Sequence, residues 1–317
     1  MNKGWTYRDR VPLTAAGQTL LDYYTQRYQH SSREDWQQRI EAGQITVEGK
    51  PSRPDQGLSV GQSLAYHRLP WQEPEVPLDF AVLYEDEDLM AIAKPAGLPV
   101  LPGGGFLEHT LLYQLQVRYP DTPPSPIHRL GRGTSGVMVL ARSPAAKSDL
   151  SRQMRRSTLD PTRPPLLTKT YRALVGPSDL PATFVLTTPI GKVPYPVIGS
   201  IYAATPNGKP AYSEGRVLRR DATQTLLEVT IHTGRPHQIR IHLAAAGYPL
   251  VNDPLYAPGG LPYPVKSPLG ELPMPGDCGY WLHAYRLQFI HPRTRKPLEI
   301  LCPPPPILMA KSQGSWS

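Results

Sequence analysis

The sequence predicts an α+β protein: a larger part built on a mixed, largely antiparallel sheet, preceded by a small basic α+β head. Three observations carry this. After residue 77, short apolar or alternating runs of strand length outnumber helical stripes, and no strand–helix–strand rhythm repeats, which argues against a parallel sheet. Before residue 70, two helical stripes are followed by a short hairpin pattern. Between the two parts, Pro70 to Pro77 carries three prolines and reads as a linker. The expected division is a head at 1–69, a linker at 70–77, a main domain at 78–308 and a tail at 309–317.

Composition narrows the partners. A chain of 317 residues buries a sizeable core, and its 39 prolines and 26 glycines, about a fifth of the chain, predict many loops without wholesale disorder. The net charge of +8 and the pI of about 9.4 favour a polyanion. RNA or DNA is the expected partner rather than a membrane, since no apolar run approaches a membrane span and no basic amphipathic helix stands out. Met1 to Tyr7 lack the apolar core of a secretory signal. Cys278 and Cys302 have neither metal-ligand nor disulfide spacing. A reducing cytoplasm and a monomer are the expectation.

In chain order, Leu13, Leu20, Leu21, Tyr24 and Tyr28 form a helical stripe over 11–30. A second helix starts at Ser32, with Asp35 three residues on as a capping partner, and stops at Gly43. Residues 45–50 and 58–66 pair as a hairpin. Strands are expected at 80–84 and 89–93, with Glu85 to Asp88 as a solvated turn, and a helix at 106–119. Ser143-Pro144 starts another helix. It ends near Arg152, Arg155 and Arg156, and a flexible proline-rich insertion follows to 165. A β-rich run covers 168–175. Asn207-Gly208 signals a hairpin between 200–203 and 211–218. A strand at 225–233 runs into a helix that ends at Gly247. Residues 258–275 read as loop, 281–289 as a late strand, and the end after Pro306 as frayed.

The most distinctive stretch is Ile127-His128-Arg129-Leu130-Gly131-Arg132-Gly133-Thr134-Ser135-Gly136, ahead of the apolar Val137 to Ala141. Its glycines permit positive φ or close backbone approach, so it reads as a shaped loop presenting two arginines.

That loop and three other stretches, Ala93–Val100, Lys169–Val175 and Thr233–Tyr256, resemble the RluA-type RNA pseudouridine synthases. Leu282-His283-Ala284 and His291-Pro292 fit as well, so the resemblance covers residues 77–305. The head, with Arg27, Arg33, Arg39, Lys50 and Arg53, resembles the S4 RNA-binding module. The resemblance implies the pseudouridine synthase fold and a cofactor-free isomerisation of uridine in structured RNA, rRNA or tRNA. It assigns Arg129 to the space of the flipped base or its phosphate, Tyr171 to stacking on uracil and helping to deprotonate its C5, and Arg240 to pairing with the catalytic carboxylate at the pocket floor. Lys94 matches a structural or backbone-contacting lysine and is counted among the expected RNA-binding residues. His128, Arg132, Arg235, Arg33 and Arg39 complete the expected RNA contacts. His237 and His242 have no acidic or cysteine companion and are not expected to bind metal.

One departure stands out. The family loop reads His-Arg-Leu-Asp, and the aspartate is its essential carboxylate; here that position is Gly131, and a second acidic position is Gly133. Glycine can neither attack a carbon nor pair with Arg240. Asp121 and Asp253 are not evident substitutes. The resemblance therefore carries two readings: a synthase whose carboxylate comes from elsewhere, or an RNA-binding protein on the same fold with impaired catalysis.

Overall fold

A computed structural model describes residues 1–159, 166–196, 198–263 and 272–310. The chain divides into two compact units, Met1–Glu73 with Tyr195–Gly199, and Pro74–Pro194 with Ser200–Ser317. The fold is α+β. The insertion expected up to 165, the middle of the 258–275 loop and the end of the tail lie outside the described residues.

The first unit contains β1 (Trp5–Arg10), α1 (Leu20–Arg27), α2 (Arg33–Glu41), β2 (Ile45–Val47), β3 (Lys50–Pro51) and β4 (Ser63–Arg68). Its sheet runs β1-β4-β2-β3. Helix α2 starts where expected: Ser32 Oγ accepts the Asp35 amide while the Asp35 carboxylate accepts the Ser32 amide. Leu20, Leu21, Tyr24, Trp36, Ile40, Ile45 and Leu64 form the core. One expectation needs correction, and one strand has no reading from sequence. The stripe over 11–30 is helical only from Leu20, after a short 3-10 turn at Leu13–Ala15. Residues 5–10, which lack a clean alternation, are held as a strand by pairing with β4.

The second unit contains β5 (Ala81–Glu85), β6 (Leu89–Lys94), α3 (Leu111–Arg118), β7 (Ser125–Pro126), β8 (Ser135–Ala141), α4 (Pro144–Leu159) and β9 (Leu167–Val175). It continues through β10 (Thr183–Leu186), β11 (Ile190–Tyr195), β12 (Gly199–Ala204), β13 (Ser213–Arg220), β14 (Thr225–Ile231), α5 (Gln238–Ala245), β15 (Leu282–Ile290) and β16 (Pro297–Leu301). The main sheet runs β10-β13-β14-β9-β15-β8-β6-β5, with β16 on β15 and β7 on β8. The β8–β15 pair is parallel, and the other pairs described in this sheet are antiparallel. Residues from α3, α4 and α5, among them Leu115, Leu150 and Leu243, join Met138, Tyr171 and Val229 in the core. On the other side of β9, Leu174 packs with Leu226 and Leu308. No helix among the described residues is long and apolar enough to cross a membrane.

Two further expectations change. The turn at Asn207-Gly208 closes, with the Gly208 amide on the Thr205 carbonyl at 2.9 Å, but its flanking strands do not pair. β12 pairs with β11, whereas β13 joins the large sheet beside β10 and β14. Lys209 instead exchanges both backbone bonds with Ile190, which draws the chain away from a hairpin. The acidic run at 85–88 is also more than a solvated turn. Asp86 accepts from Tyr84, His291 and two backbone amides, and Asp88 accepts from Arg293 and Ser143, so the turn ties β5–β6 to the end of β15. Asp86, Asp88 and His291 lie close enough to share a cation, but these contacts already engage them.

Candidate active site

The loop at 127–136 is positioned by backbone rather than by side-chain charge. It leaves β7 and ends in β8, where Gly136 has φ +115° and an added Cβ would fall 2.3 Å from the Ala284 carbonyl oxygen. Only glycine allows β8 and β15 that approach. Lys94, buried at the end of β6, donates to the carbonyls of Pro95 (2.7 Å), Leu98 (2.8 Å) and Arg132 (3.2 Å), and the Gly97 amide also reaches Arg132 O at 2.8 Å. All three ammonium protons are thus engaged by the protein's own carbonyls, which is the structural one of the two roles expected of this buried lysine and leaves no donor for an RNA contact.

Within the loop the named residues separate. His128 points inward: its Nε2 accepts the Val139 amide at 3.1 Å, and burial, with the Lys169 charge second, pushes its pKa down to about 3. It is a neutral loop anchor. Arg132 lies over the Phe106 ring at 5.2 Å and donates to the Gly276 carbonyl at 2.7 Å. Arg129 is exposed and makes no hydrogen bond or ion pair among the described residues. It stands near enough to His237 for its charge to help depress that imidazole.

The floor is built by α5. Its start is locked by Gln238, whose Oε1 accepts from the Thr233 hydroxyl and the Arg235 amide while Nε2 donates to Tyr212 O and Ser213 Oγ. Arg235 is further tied to the Pro210 carbonyl. Arg240 then points into the interior, its side chain 2% exposed. Asp253, 0% exposed, meets it as a fork: Nε to Oδ2 and Nη2 to Oδ1, both at 2.7 Å. Tyr280 and Tyr256 flank the guanidinium at 4.1 and 5.0 Å. Burial works against the charge, but the Asp253 bonds and the charges around it outweigh burial and hold Arg240 above its ordinary value. A buried arginine needs such a partner.

Asp253 is therefore the carboxylate that faces Arg240, which the sequence reading did not assign. Its Oδ1 also accepts the Leu255 and Tyr256 amides at 2.9 and 3.2 Å, so this is a saturated, structural carboxylate. The space over the loop glycines belongs to Tyr280. A Cβ on Gly131 would stand 3.0 Å from its hydroxyl, and one on Gly133 2.9 Å from two ring carbons and 3.2 Å from Cys278 Cα. Thr134 Oγ1 hydrogen-bonds the same hydroxyl at 3.2 Å.

Tyr171 sits mid-strand in β9, on the helix-packed side, with no hydrogen-bond partner for its hydroxyl among the described residues. Burial raises its pKa well above the ordinary phenol value, so at neutral pH it offers a ring face and a neutral hydroxyl. The tyrosine hydroxyl of Tyr256 donates to Tyr202 O at 2.7 Å, so His237 Nδ1, 2.8 Å away, carries its own proton and donates to it. Both nitrogens of His242 are hydrogen-bonded, to Ser213 and Thr188.

The structure thus gathers Arg129, His237, Arg240, Asp253, Tyr256 and Tyr280 around the loop and α5. Arg33 and Arg39 belong to the other unit. There Arg33 pairs with Asp22 at 2.6 Å, and Arg39 bonds Ser31 and lies 4.5 Å over Trp36. From sequence Asp253 is weighed only as a substitute for the loop acid and set aside, and Tyr256 and Tyr280 are not singled out. The signal was available for Asp253 alone, because a core-facing arginine demands an acid and Asp253 is the only acid in its stretch, 233–256.

The site thus joins a mixed sheet, helix α5 with its buried arginine–aspartate fork, and a glycine-rich loop that carries two arginines. The RNA pseudouridylate synthase family profile matches residues 88–245. An RNA pseudouridine synthase of Synechocystis is 52% identical over 92% of this chain and 95% of its own length. RNA pseudouridine synthase 5 of Oryza sativa is 41% identical over 98% and 90%. The ribosomal large subunit pseudouridine synthase D of Neisseria meningitidis serogroup B is 32% identical over 93% and 78%. Human RNA pseudouridylate synthase domain containing 1 shares the fold, with a TM-score of 0.55 at 24% identity over 75% of this chain and 90% of its own. The chain belongs to the RNA pseudouridine synthase family, of the RluA type.

Proposed function

We propose that the protein isomerises uridine to pseudouridine in structured RNA, rRNA or tRNA. The single observation that supports this best is the pocket itself. Arg240 remains buried and ion-paired although the loop carries glycine where the family carries its acid. The Asp253 fork supplies the partner that a desolvated arginine needs, so the pocket floor stays assembled beneath a loop that carries no acid of its own.

In the reaction the N1–C1′ bond of a flipped uridine breaks, the ring turns, C5 bonds to C1′, and the C5 proton leaves as N1 takes one up. Flipping the base out of its stack costs a few kcal/mol. Arg129, exposed and without a hydrogen bond or ion pair among the described residues, is suited to the phosphate or the vacated space. Tyr171 offers a ring face for the uracil and a hydroxyl that helps to remove the C5 proton, the role that Tyr171→Phe takes away. Arg132, Arg235 and the basic residues of the first unit, Arg33 and Arg39 among them, are assigned to RNA contacts, with that unit acting as an S4-like module. The site needs no metal or cofactor in this reading, and a cytoplasmic monomer is the form we assign.

The test compares pseudouridine in total RNA from cells lacking and carrying the gene, site by site. A position converted only when the gene is present, and lost again with Tyr171→Phe, supports isomerisation. Identical maps, together with RNA binding that survives, would leave a binding protein on the same fold.

A further inference from the structure

The first unit carries a surface that the site above does not use. In β1 and β4, Trp5 lies opposite Arg68 and Tyr7 opposite Tyr66, so these four side chains share one sheet face. Farther along, that face is core, with Leu64 and Ile45 buried. Toward its Trp5 end it opens: Trp5 is 53% exposed and Tyr7 47%. Tyr7 stacks on Tyr66 with centroids 5.9 Å apart and planes 20° off parallel. Tyr66 and His30 both meet the buried Trp36 edge-on, at 5.4 and 5.5 Å. A run of rings therefore leads from the core to the surface and ends in two exposed aromatic residues.

Cations are interleaved with the rings. Arg39 lies 4.5 Å over Trp36 and 5.9 Å from Tyr66, and Arg68 lies 3.6 Å over Trp71. His30 is held below its ordinary value by partial burial and then by the charges of Arg39 and Arg68, so the three share this end of the unit. Among the described residues none of them forms an ion pair. The acid on the same face, Asp9, is engaged by Arg27, Tyr23 and Tyr28. Beside Arg68 a cavity of about 600 Å³ is lined by Lys3, Trp5, Thr6, His67, Arg68 and Leu69, along with Gly4 and Pro70, and by no acidic residue.

Guanidinium groups outside any ion pair among the described residues can take an anion, and exposed flat rings call for planar, apolar faces. A nucleic-acid duplex offers phosphates but hides its base faces. A single strand offers both. We propose that the face formed by Trp5, Tyr7, Arg39 and Arg68 binds a single-stranded stretch of RNA, with bases stacked on Trp5 and Tyr7 and phosphates at the two arginines. The choice of RNA over DNA rests on the isomerase reading; the stacking site itself does not.

The test uses the full-length protein and a labelled uridine dodecamer, with binding followed by fluorescence anisotropy. The double variant W5A/Y7A is expected to weaken binding about tenfold or more, and W5F/Y7F to restore most of it. R68A is expected to lower the slope of log affinity against log salt by about 0.7. R68E, a change at the rim, should weaken binding further without touching the core. A duplex of equal length should be indifferent to W5A/Y7A. Three results would overturn the proposal: dodecamer affinity unchanged in W5A/Y7A and R68E, equal losses for duplex and single strand, or capture of phosphatidylserine vesicles through these residues with no affinity for the dodecamer. Isomerisation measured in parallel separates the two claims. Turnover with unaltered W5A/Y7A binding overturns the stacking site alone, and Trp5-dependent binding without turnover overturns the isomerase reading alone.

Discussion

The floor of the candidate site and the loop above it are built on opposite principles. Around Arg240 the chain commits side-chain charge: a fully buried fork with Asp253, two flanking tyrosines, and backbone amides that complete the carboxylate. In the loop it commits backbone: glycines, and carbonyls gathered by Lys94, with Arg129 left free at the exposed side. The floor can tolerate almost no change in charge. The loop can tolerate changes of side chain wherever Tyr280 and β15 leave room. Glycine at 131 therefore does not disturb Arg240, because the arginine is neutralised from below.

The largest effect expected from this contrast is at the floor. Asp253→Ala strands a buried guanidinium and should lower stability by about 3–5 kcal/mol in chemical denaturation. Arg240→Met in the same chain should return part of it. An unchanged midpoint for Asp253→Ala would mean that the fork contributes little.

Lys94→Met comes next. It removes a charged donor from three carbonyls, and a loss of about 1.5–3 kcal/mol is expected, with isomerisation falling further than stability because the loop loses its clamp. Equal falls in both would make Lys94 structural only.

The loop glycines should rank by what stands over them. Gly133→Ala meets ring carbons and Cys278 backbone and should cost about 1–3 kcal/mol, whereas Gly131→Ala meets the Tyr280 hydroxyl and, at ordinary contact distance, Thr134 Oγ1, and should cost less than about 1. Thermal unfolding of the two variants checks the order, and a reversed order would break the assignment of that space to Tyr280.

Acid should weaken the fold through its buried imidazoles. His128 and His242 are held down to about 3 and 4, mainly by burial. Folded, they stay neutral where the unfolded chain takes up protons below its ordinary value of about 6.5. Stability from these groups is thus complete above that value and is lost as pH falls from about 6.5 toward 4, by up to about 1.4 kcal/mol per pH unit for each histidine. His242→Asn should flatten that slope in denaturation curves taken across this window. The smallest expected effect on stability is Arg129→Ala, within about 0.5 kcal/mol, although conversion of RNA should fall steeply.

Much of this was legible in the chain because it was local. The Ser32–Asp35 capping pattern, the helix ending at Gly247 and the strand bearing Tyr171 are written within a few residues. What escaped depends on distant partners. β1 is a strand because β4 lies beside it, and Asn207-Gly208 makes a turn whose strands pair elsewhere. The position at 131 was legible as a missing acid, but Asp253 beneath Arg240 and Tyr280 above the glycines come from 13 positions along and from the far end of the unit. Spacing alone does not disclose such contacts.

The central claim, turnover from a loop without its own acid, is tested most directly by release of the C5 proton. Purified protein is given RNA from cells lacking the gene, labelled with tritium at uridine C5, and tritium appearing in water is counted. We expect release by the wild type and none above background by Tyr171→Phe, with both proteins folded and binding RNA alike. No release by the wild type, from RNA that it binds, would contradict the account.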